Sequence, residues 1–315
     1  MMNRRKVNQS QEKDPAVYTS IDALRRLQFK TKGLSFLPKQ PVKSILNGKN
    51  VSKLRGRGLN FEEMRQYHLG DDIRTMDWKV TLRTGKPHVK VFNEERERDV
   101  FLLVDQRLNM FFGSTGKMKS VIAAEVAALT GWRVIESTDR IGAIIFNDDN
   151  AVSFKPKRSH HQISLIIAEL VNKNHQLASG SVATDYSTSL NRAFEKLIRV
   201  ITHDALVIFI SDGRGWNDKT TEYLKKLRQH NDMIICHVVD PLELELPKLS
   251  QTILSDGQLQ IEISDAETRI YQSYREKIEQ QLTKLTSISA KYRIPVLPFE
   301  TLSPTDKQMR KALGV

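Results

Sequence analysis

From residue 100 onward, short apolar runs alternate with segments of helical period, and two of the runs end on aspartate. Val100-Phe101-Leu102-Leu103-Val104 leads into Asp105, and Leu206-Val207-Ile208-Phe209-Ile210-Ser211 leads into Asp212. Runs this apolar read as strands buried on both faces of a parallel sheet. Met118, Ile122, Val126, Leu129 and Trp132 recur at helical spacing, as do Ile163, Ile166, Ile167 and Leu170, and then Tyr186, Leu190, Phe194 and Leu197. Arg140–Phe146 and Ala151–Phe154 read as strands joined by a turn at Asn147–Asn150. A helix over Thr220–Arg228, a strand over Met233–Asp240 and a hairpin over Gln251–Ile263, split at Asp256-Gly257, come next. A long helix then carries Ile270, Tyr274, Ile278, Leu282 and Leu285 on one face, before a short strand near Ile294–Leu297 and a terminal helix from Pro304. This alternation predicts an α/β fold of three layers, a mostly parallel sheet with helices on both faces.

Before residue 100 the pattern differs. Residues 1–17 are polar and read as disordered, Ser20 caps a short helix over Ile21–Gln28, and residues 30–57 read as loop. A dense polar segment, Gly56 to Arg98, ends in a strand over His88–Phe92 and a run of charges. Three parts follow: a basic arm (1–54), a polar segment packed on the body (55–98), and the α/β domain (99–315).

Charge sharpens that division. The net charge is +12, yet residues 1–57 hold 14 Lys/Arg against 3 Asp/Glu and the rest of the chain is nearly neutral. Such an arm suits an anionic surface, either a membrane or nucleic acid, or is simply a solvated extension. Its few aromatics (Tyr18, Phe29, Phe36) disfavour nucleic acid, which is usually gripped by stacking. No window approaches the roughly 18 consecutive apolar residues of a membrane span, and no apolar core follows the basic start, so a cytoplasmic protein, in places peripheral to the membrane, is expected. The single cysteine, Cys236, lies in an apolar run and reads as a buried small hydrophobe.

Candidate chemistry sits at the strand ends, where open α/β sheets gather their ligands. A hard divalent cation such as Mg²⁺ takes an octahedron of oxygens. The von Willebrand factor A fold supplies it with Asp-x-Ser-x-Ser after the first strand, a later threonine and a distal aspartate. Here Asp105, Thr184 and Asp212 fit the acidic and threonine positions, but Arg107 and Asn109 stand where the serines belong. A guanidinium cannot ligate a cation. Between two aspartates it would act as an internal counter-ion, and the site is expected to be metal-free with no cofactor. The alternative has Arg107 in solvent and the carboxylates capping backbone amides.

A second cluster, Gly70-Asp71-Asp72-Ile73-Arg74-Thr75-Met76-Asp77-Trp78, reads as turn and ion-pair chemistry with Trp78 as a packing anchor, ahead of metal binding or catalysis. No complete phosphate-binding loop, nucleophile elbow or zinc-protease motif occurs; Gly113-Ser114-Thr115-Gly116-Lys117 matches only the tail of the first. His160 and His161 are adjacent and read as surface residues. A hydrolase built on Asp105 and Asp212 would lack a base or nucleophile, so no enzyme is expected.

The stretch Gly56-Arg57-Gly58-Leu59-Asn60-Phe61, then Arg65-x-Tyr67-x-x-Gly70-Asp71-Asp72-x-Arg74-x-x-Asp77-Trp78, resembles the signature of the bacterial domain of unknown function fifty-eight family. Similarity continues through Arg83-Thr84-Gly85, Phe92-x-x-Glu95-Arg96, Phe112-Gly113-Ser114 and Asp240-Pro241-Leu242-Glu243-x-Glu245-Leu246-Pro247. The chain departs from the family at Asn60, where glutamate is commoner, and at Arg107 and Asn109. The resemblance implies a von Willebrand factor A-like domain. It also implies a MoxR-type AAA+ ATPase and that ATPase's client as partners, with this chain as adaptor or substrate-presenting co-chaperone.

Overall fold

The computed structural model describes residues 14–34, 59–94, 97–178, 185–244, 252–255, 260–263, 280 and 283–314. These fall into two compact units, one formed by residues up to 37 together with those from 98 onward, the other spanning residues 38–97.

The larger unit is built on a six-stranded sheet. Its strands are β3 (Asp99–Asp105), β4 (Arg140–Phe146), β5 (Ala151–Lys157), β6 (Leu206–Ser211), β7 (Asp232–Val239) and β10 (Val296–Glu300), in spatial order β10-β7-β6-β3-β4-β5. All pair in parallel except the edge strand β5, which runs antiparallel to β4. β5 extends three residues beyond the expected Phe154, through Pro156. An edge strand tolerates a residue without an N–H, and the ladder shifts register between Ile141 and Ala143 to accommodate it. The central strands β3 and β6 are buried along almost their whole length, as their unbroken apolar runs require.

Helices cover both faces. On one, α3 (Lys119–Glu136), α4 (His160–Gln176) and α9 (Thr305–Leu313) pack through Ile122, Val126, Leu129, Ile163, Ile167 and Met309. On the other lie α5 (Tyr186–Val200), α6 (Asp218–His230) and a helical stretch over 283–292, α8, joined through Leu190, Phe194, Leu197, Leu224, Leu227 and Ile288. This is the expected three-layer α/β architecture. Cys236 lies buried in β7, where burial pushes its thiol up to about 12 and leaves it uncharged. Of the long helix expected near residue 270, Leu285 lies in α8, while Ile270, Tyr274, Ile278 and Leu282 lie outside the described residues. The late hairpin forms, with β8 (Thr252–Ser255) antiparallel to β9 (Gln260–Ile263); α7 (Pro241–Leu244) follows β7.

The described part of the basic arm is no loose extension. Residues 14–17 form a turn rather than the expected disordered run, because Asp14 accepts the amides of Ala16, Val17 and Tyr18. After α1 (Ile21–Arg26), capped by Ser20 as expected, the helix tightens into a 3₁₀ turn over Leu27–Lys30. Leu24, Leu27 and Leu34 join the core on the α3 face, and Trp132 Nε1 donates to the Leu24 carbonyl at 3.1 Å. Thr19 N donates to Asn174 Oδ1 at 2.8 Å, and Tyr18 Oη donates to the Leu177 carbonyl at 2.9 Å.

The smaller unit pairs β1 (Leu59–Gln66) antiparallel with β2 (His88–Glu94), joined through a 3₁₀ turn at Ile73–Thr75 and α2 (Trp78–Thr84). Asp77 caps α2 by accepting the amides of Lys79 and Val80, and Gly85, in the left-handed region at φ 70°, ends it.

If residues 14–34 are integral to the larger unit, Leu24→Ala will cost about 2–5 kcal/mol of unfolding free energy in urea denaturation. A solvated arm would leave the midpoint unchanged.

Candidate functional site

The register of the sheet creates the strand-end site. Val104 pairs with Ile210, so Asp105 leaves β3 beside Ser211 at the end of β6, and the Ser211 hydroxyl donates to Asp105 Oδ2 at 2.7 Å. The next residue is Asp212, so the two carboxylates expected at neighbouring strand ends are brought together.

Arg107 folds back onto Asp105. Its Nε donates to Oδ1 at 2.9 Å and its Nη2 to Oδ2 at 2.6 Å, a bidentate pair, and its backbone N–H adds a third bond to Oδ1 at 3.0 Å. Nη1 donates to the Tyr186 carbonyl at 2.6 Å and Nη2 to the Arg214 carbonyl at 2.9 Å. The guanidinium carbon lies 5.3 Å from the Phe146 ring centroid and 5.7 Å from that of Tyr186. Arg107 and Asp105 are both 0% exposed, which excludes the solvent-facing alternative. Burial alone would weaken the guanidinium's hold on its proton, but Asp105, joined by Asp212 and Asp148, more than offsets it, and the pKa of Arg107 rises.

Asp212 has its own cation. Lys119, the first residue of α3 and wholly buried, donates through Nζ to Asp212 Oδ2 at 2.9 Å and to Glu243 Oε1 at 2.6 Å. Asn109 Nδ2 donates to Asp212 Oδ1 at 2.7 Å, as does the Arg214 amide at 2.9 Å. Burial raises the carboxyl of Asp212, yet Lys119 and these donors outweigh it and hold it below the usual carboxylate range. Lys119 is likewise held charged: burial lowers its pKa, while Asp212 and Glu243 lift it by more.

Backbone geometry closes the site. Gly215, at φ 83°, lets the loop after β6 pass directly against the Tyr186 backbone, where a Cβ would meet the Tyr186 carbonyl carbon at 2.6 Å. Arg214, exposed, lies with its guanidinium carbon 5.6 Å from the Tyr186 ring centroid on the outside. Asp148, in the β4–β5 turn, accepts the Leu108 amide at 2.7 Å; burial raises its pKa, and its Oδ1 is among the buried oxygens with no partner.

The residues present do not fit a divalent cation. All four carboxylate oxygens of Asp105 and Asp212 accept hydrogen bonds, three of them from charged side chains, and the serine oxygens of the adhesion plan are replaced by a guanidinium and an amide. Among the described residues no group of three His, Cys, Asp or Glu is placed to hold a metal. Thr184 lies outside the described residues.

Lys119, Glu243, Tyr186, Arg214 and Asp148 were not singled out from the sequence as members of this site. Lys119 is one residue past Met118 in the helical pattern, and periodicity does not reveal whether a lysine there meets water or a carboxylate. Glu243 had a signal, since it falls within the Asp240–Pro247 motif, and Asp148 was visible only as a turn residue.

The second cluster is self-contained. Arg65 holds Asp71 bidentately, with both contacts at 2.8 Å, and the His68 amide adds a third bond, keeping Asp71 at about 2. Asp72 accepts the Arg74 amide at 3.0 Å, and Asp77 combines its helix cap with an ion pair to Lys90 at 2.9 Å. Gly70, at φ 106°, makes the turn before Asp71. Trp78, expected as a packing anchor, is 62% exposed, because α2 turns Val80 and Thr81 toward the hairpin and presents Trp78 outward. The Gly113–Lys117 loop cradles no phosphate-like space, since the Ser114 amide and hydroxyl both donate to Asp240, at 2.9 and 2.6 Å. His160 and His161 are exposed.

The family described as a protein of unknown function, DUF58, matches residues 63–284, about seven-tenths of the chain. This chain belongs to the DUF58 family. Relatives include the uncharacterised proteins Mb1516 of Mycobacterium bovis and Rv1480 of Mycobacterium tuberculosis, each 28% identical over 258 residues, covering 79% of this chain and 78% of the relative. Among solved structures, the chain is similar to the conserved hypothetical protein BatB of Bacteroides thetaiotaomicron (12% identity, TM-score 0.40, 68% of this chain and 95% of that one). It is also similar to an aerotolerance-related membrane protein of Bacteroides fragilis (11%, TM-score 0.38, 69% and 96%). This DUF58 member carries two buried side-chain cations at its strand ends, Arg107 on Asp105 and Lys119 on Asp212.

Arg107→Ala will cost about 3–5 kcal/mol in urea denaturation, because it strands a buried carboxylate; the Asp105→Ala/Arg107→Ala pair will cost less than the two single changes added together. Millimolar Mg²⁺ will leave Tm unchanged, and a saturable rise would overturn the metal-free reading. Asp212 is ionised in the fold below its ordinary 3.8. Its contribution is therefore complete above that value and is lost as pH falls below it toward the lowered folded value. Asp212→Asn will flatten the acid limb of the stability profile there.

Proposed function

We propose that this chain is a non-catalytic protein-interaction module, an adaptor for a MoxR-type AAA+ ATPase that supplies the nucleotide hydrolysis. The observation that supports it is the buried bidentate pair between Arg107 and Asp105. A carboxylate locked by a fixed cation can neither shuttle protons near neutral pH nor hold a Lewis acid, and Asp212 is locked in the same way by Lys119. What such a site keeps is a stiff surface at the strand ends.

A partner meets the rim of this site, not its centre. Asp105 and Arg107 are sealed, so a partner side chain does not complete the site directly. The reachable groups are the exposed Arg214 stacked on Tyr186, the edge of Phe112, and Glu243. An aromatic ring held by an arginine beside a carboxylate is a common anchor of protein interfaces. The buried ion pairs underneath give that anchor a single conformation, which lowers the ordering cost of binding.

Affinity capture of the full chain from its own cells, read by mass spectrometry, will return an AAA+ ATPase. Arg214→Glu will weaken that complex at least about tenfold, the loss expected of one interface anchor, with Tm nearly unchanged because the Arg214 side chain is exposed. Unchanged capture by this variant would exclude the strand-end rim as the contact.

A further inference from the structure

The smaller unit carries a face that its own fold leaves uncovered. Within 14 residues the unit exposes Leu69, Ile73, Trp78 and Leu82, which are 101%, 60%, 62% and 84% exposed. Trp78 and Leu82 are four residues apart on α2 and therefore lie on one side of it, while Val80 and Thr81 face the hairpin. Lys79 and Arg83, one residue further on in each case, flank that side, and Arg74 and Lys86 bracket the segment. All four cations are exposed, and among the described residues no carboxylate pairs with them. The unit's other described cations, Arg65 and Lys90, are engaged by Asp71 and Asp77.

We infer that this face docks on an anionic lipid surface, with Trp78 and Leu82 entering the headgroup region and Lys79, Arg83 and Lys86 meeting lipid phosphates. Two features select this occupant. Uncompensated positive charge beside apolar side chains calls for a surface that is acidic on the outside and apolar beneath. The apolar side chains also stand free, Leu69 completely so, and do not line a recess. Protruding side chains are best buried by a medium that deforms around them, as the lipid interface does, and tryptophan is enriched there. A folded acidic protein would have to offer a matching cavity for each. The contact is separate from the strand-end rim and from the basic residues before residue 58.

Co-sedimentation of the full chain with vesicles of phosphatidylglycerol and phosphatidylcholine, against phosphatidylcholine alone, tests this. Binding is expected to the acidic vesicles only and to weaken as salt is raised. Trp78→Ala/Leu82→Ala will lower it at least about tenfold through lost apolar burial. Lys79→Glu/Arg83→Glu will lower it by about tenfold or more through lost attraction. Because all four side chains are exposed, both variants should keep the parent's Tm, which separates loss of docking from loss of fold. Three results would overturn the inference: no binding to either vesicle, equal binding to both, or full retention of binding by Trp78→Ala/Leu82→Ala. The last would assign the attraction to the basic N-terminal residues. Capture of the chain by an acidic protein without vesicle binding would equally reject lipid as the occupant.

Discussion

Removing a guanidinium and a carboxylate from water together costs several kcal/mol per ion, and their mutual attraction repays it only when geometry is close to ideal and remaining donors are satisfied. Arg107 and Asp105 meet those terms. Two parallel charge-assisted bonds join them, two further guanidinium N–H groups reach the carbonyls of Tyr186 and Arg214, Ser211 supplies a further bond to Asp105, and two aromatic rings lie against the guanidinium. The loops after β3 and β6 and the start of α5 are thereby tied to one charge. The bridge between these elements is covalently part of the chain.

Lys119 extends the same logic to the other side of the sheet. Standing at the first turn of α3, it links β6 through Asp212 and the segment after β7 through Glu243. Nearby, Asp240 gathers Ser114 and Thr301, so the loops before α3 and after β10 converge on one buried carboxylate. Buried ion pairs and hydrogen bonds thus hold several strand-end loops in place at once.

The smaller unit follows a different plan. Its three aspartates are consumed by caps and ion pairs within the unit, and four of its large apolar residues, Leu69, Ile73, Trp78 and Leu82, face outward. A hairpin with one short helix has too little interior to hide four such side chains. Their exposure, next to unpaired cations, is the property that distinguishes this unit from the neutral, well-filled α/β body.

Local repeats determined much of this protein. Unbroken apolar runs marked β3 and β6, helical spacing marked α3, α4 and α5, and the strand-end rule put Asp105 and Asp212 on one edge, since each of these signals lies within a dozen consecutive residues. Arg107 also announced itself, because a charge that cannot ligate a metal stands in a short, recognisable motif. Only the tertiary structure decided which groups meet across long separations: Lys119 with Asp212 and Glu243, the carbonyls of Tyr186 and Arg214 on Arg107, and α1 held by Trp132 through the Leu24 carbonyl. It also decided the orientation of Trp78, which a composition rule would bury. Burial is a property of what the rest of the chain brings to a residue, and no periodicity along the chain encodes it.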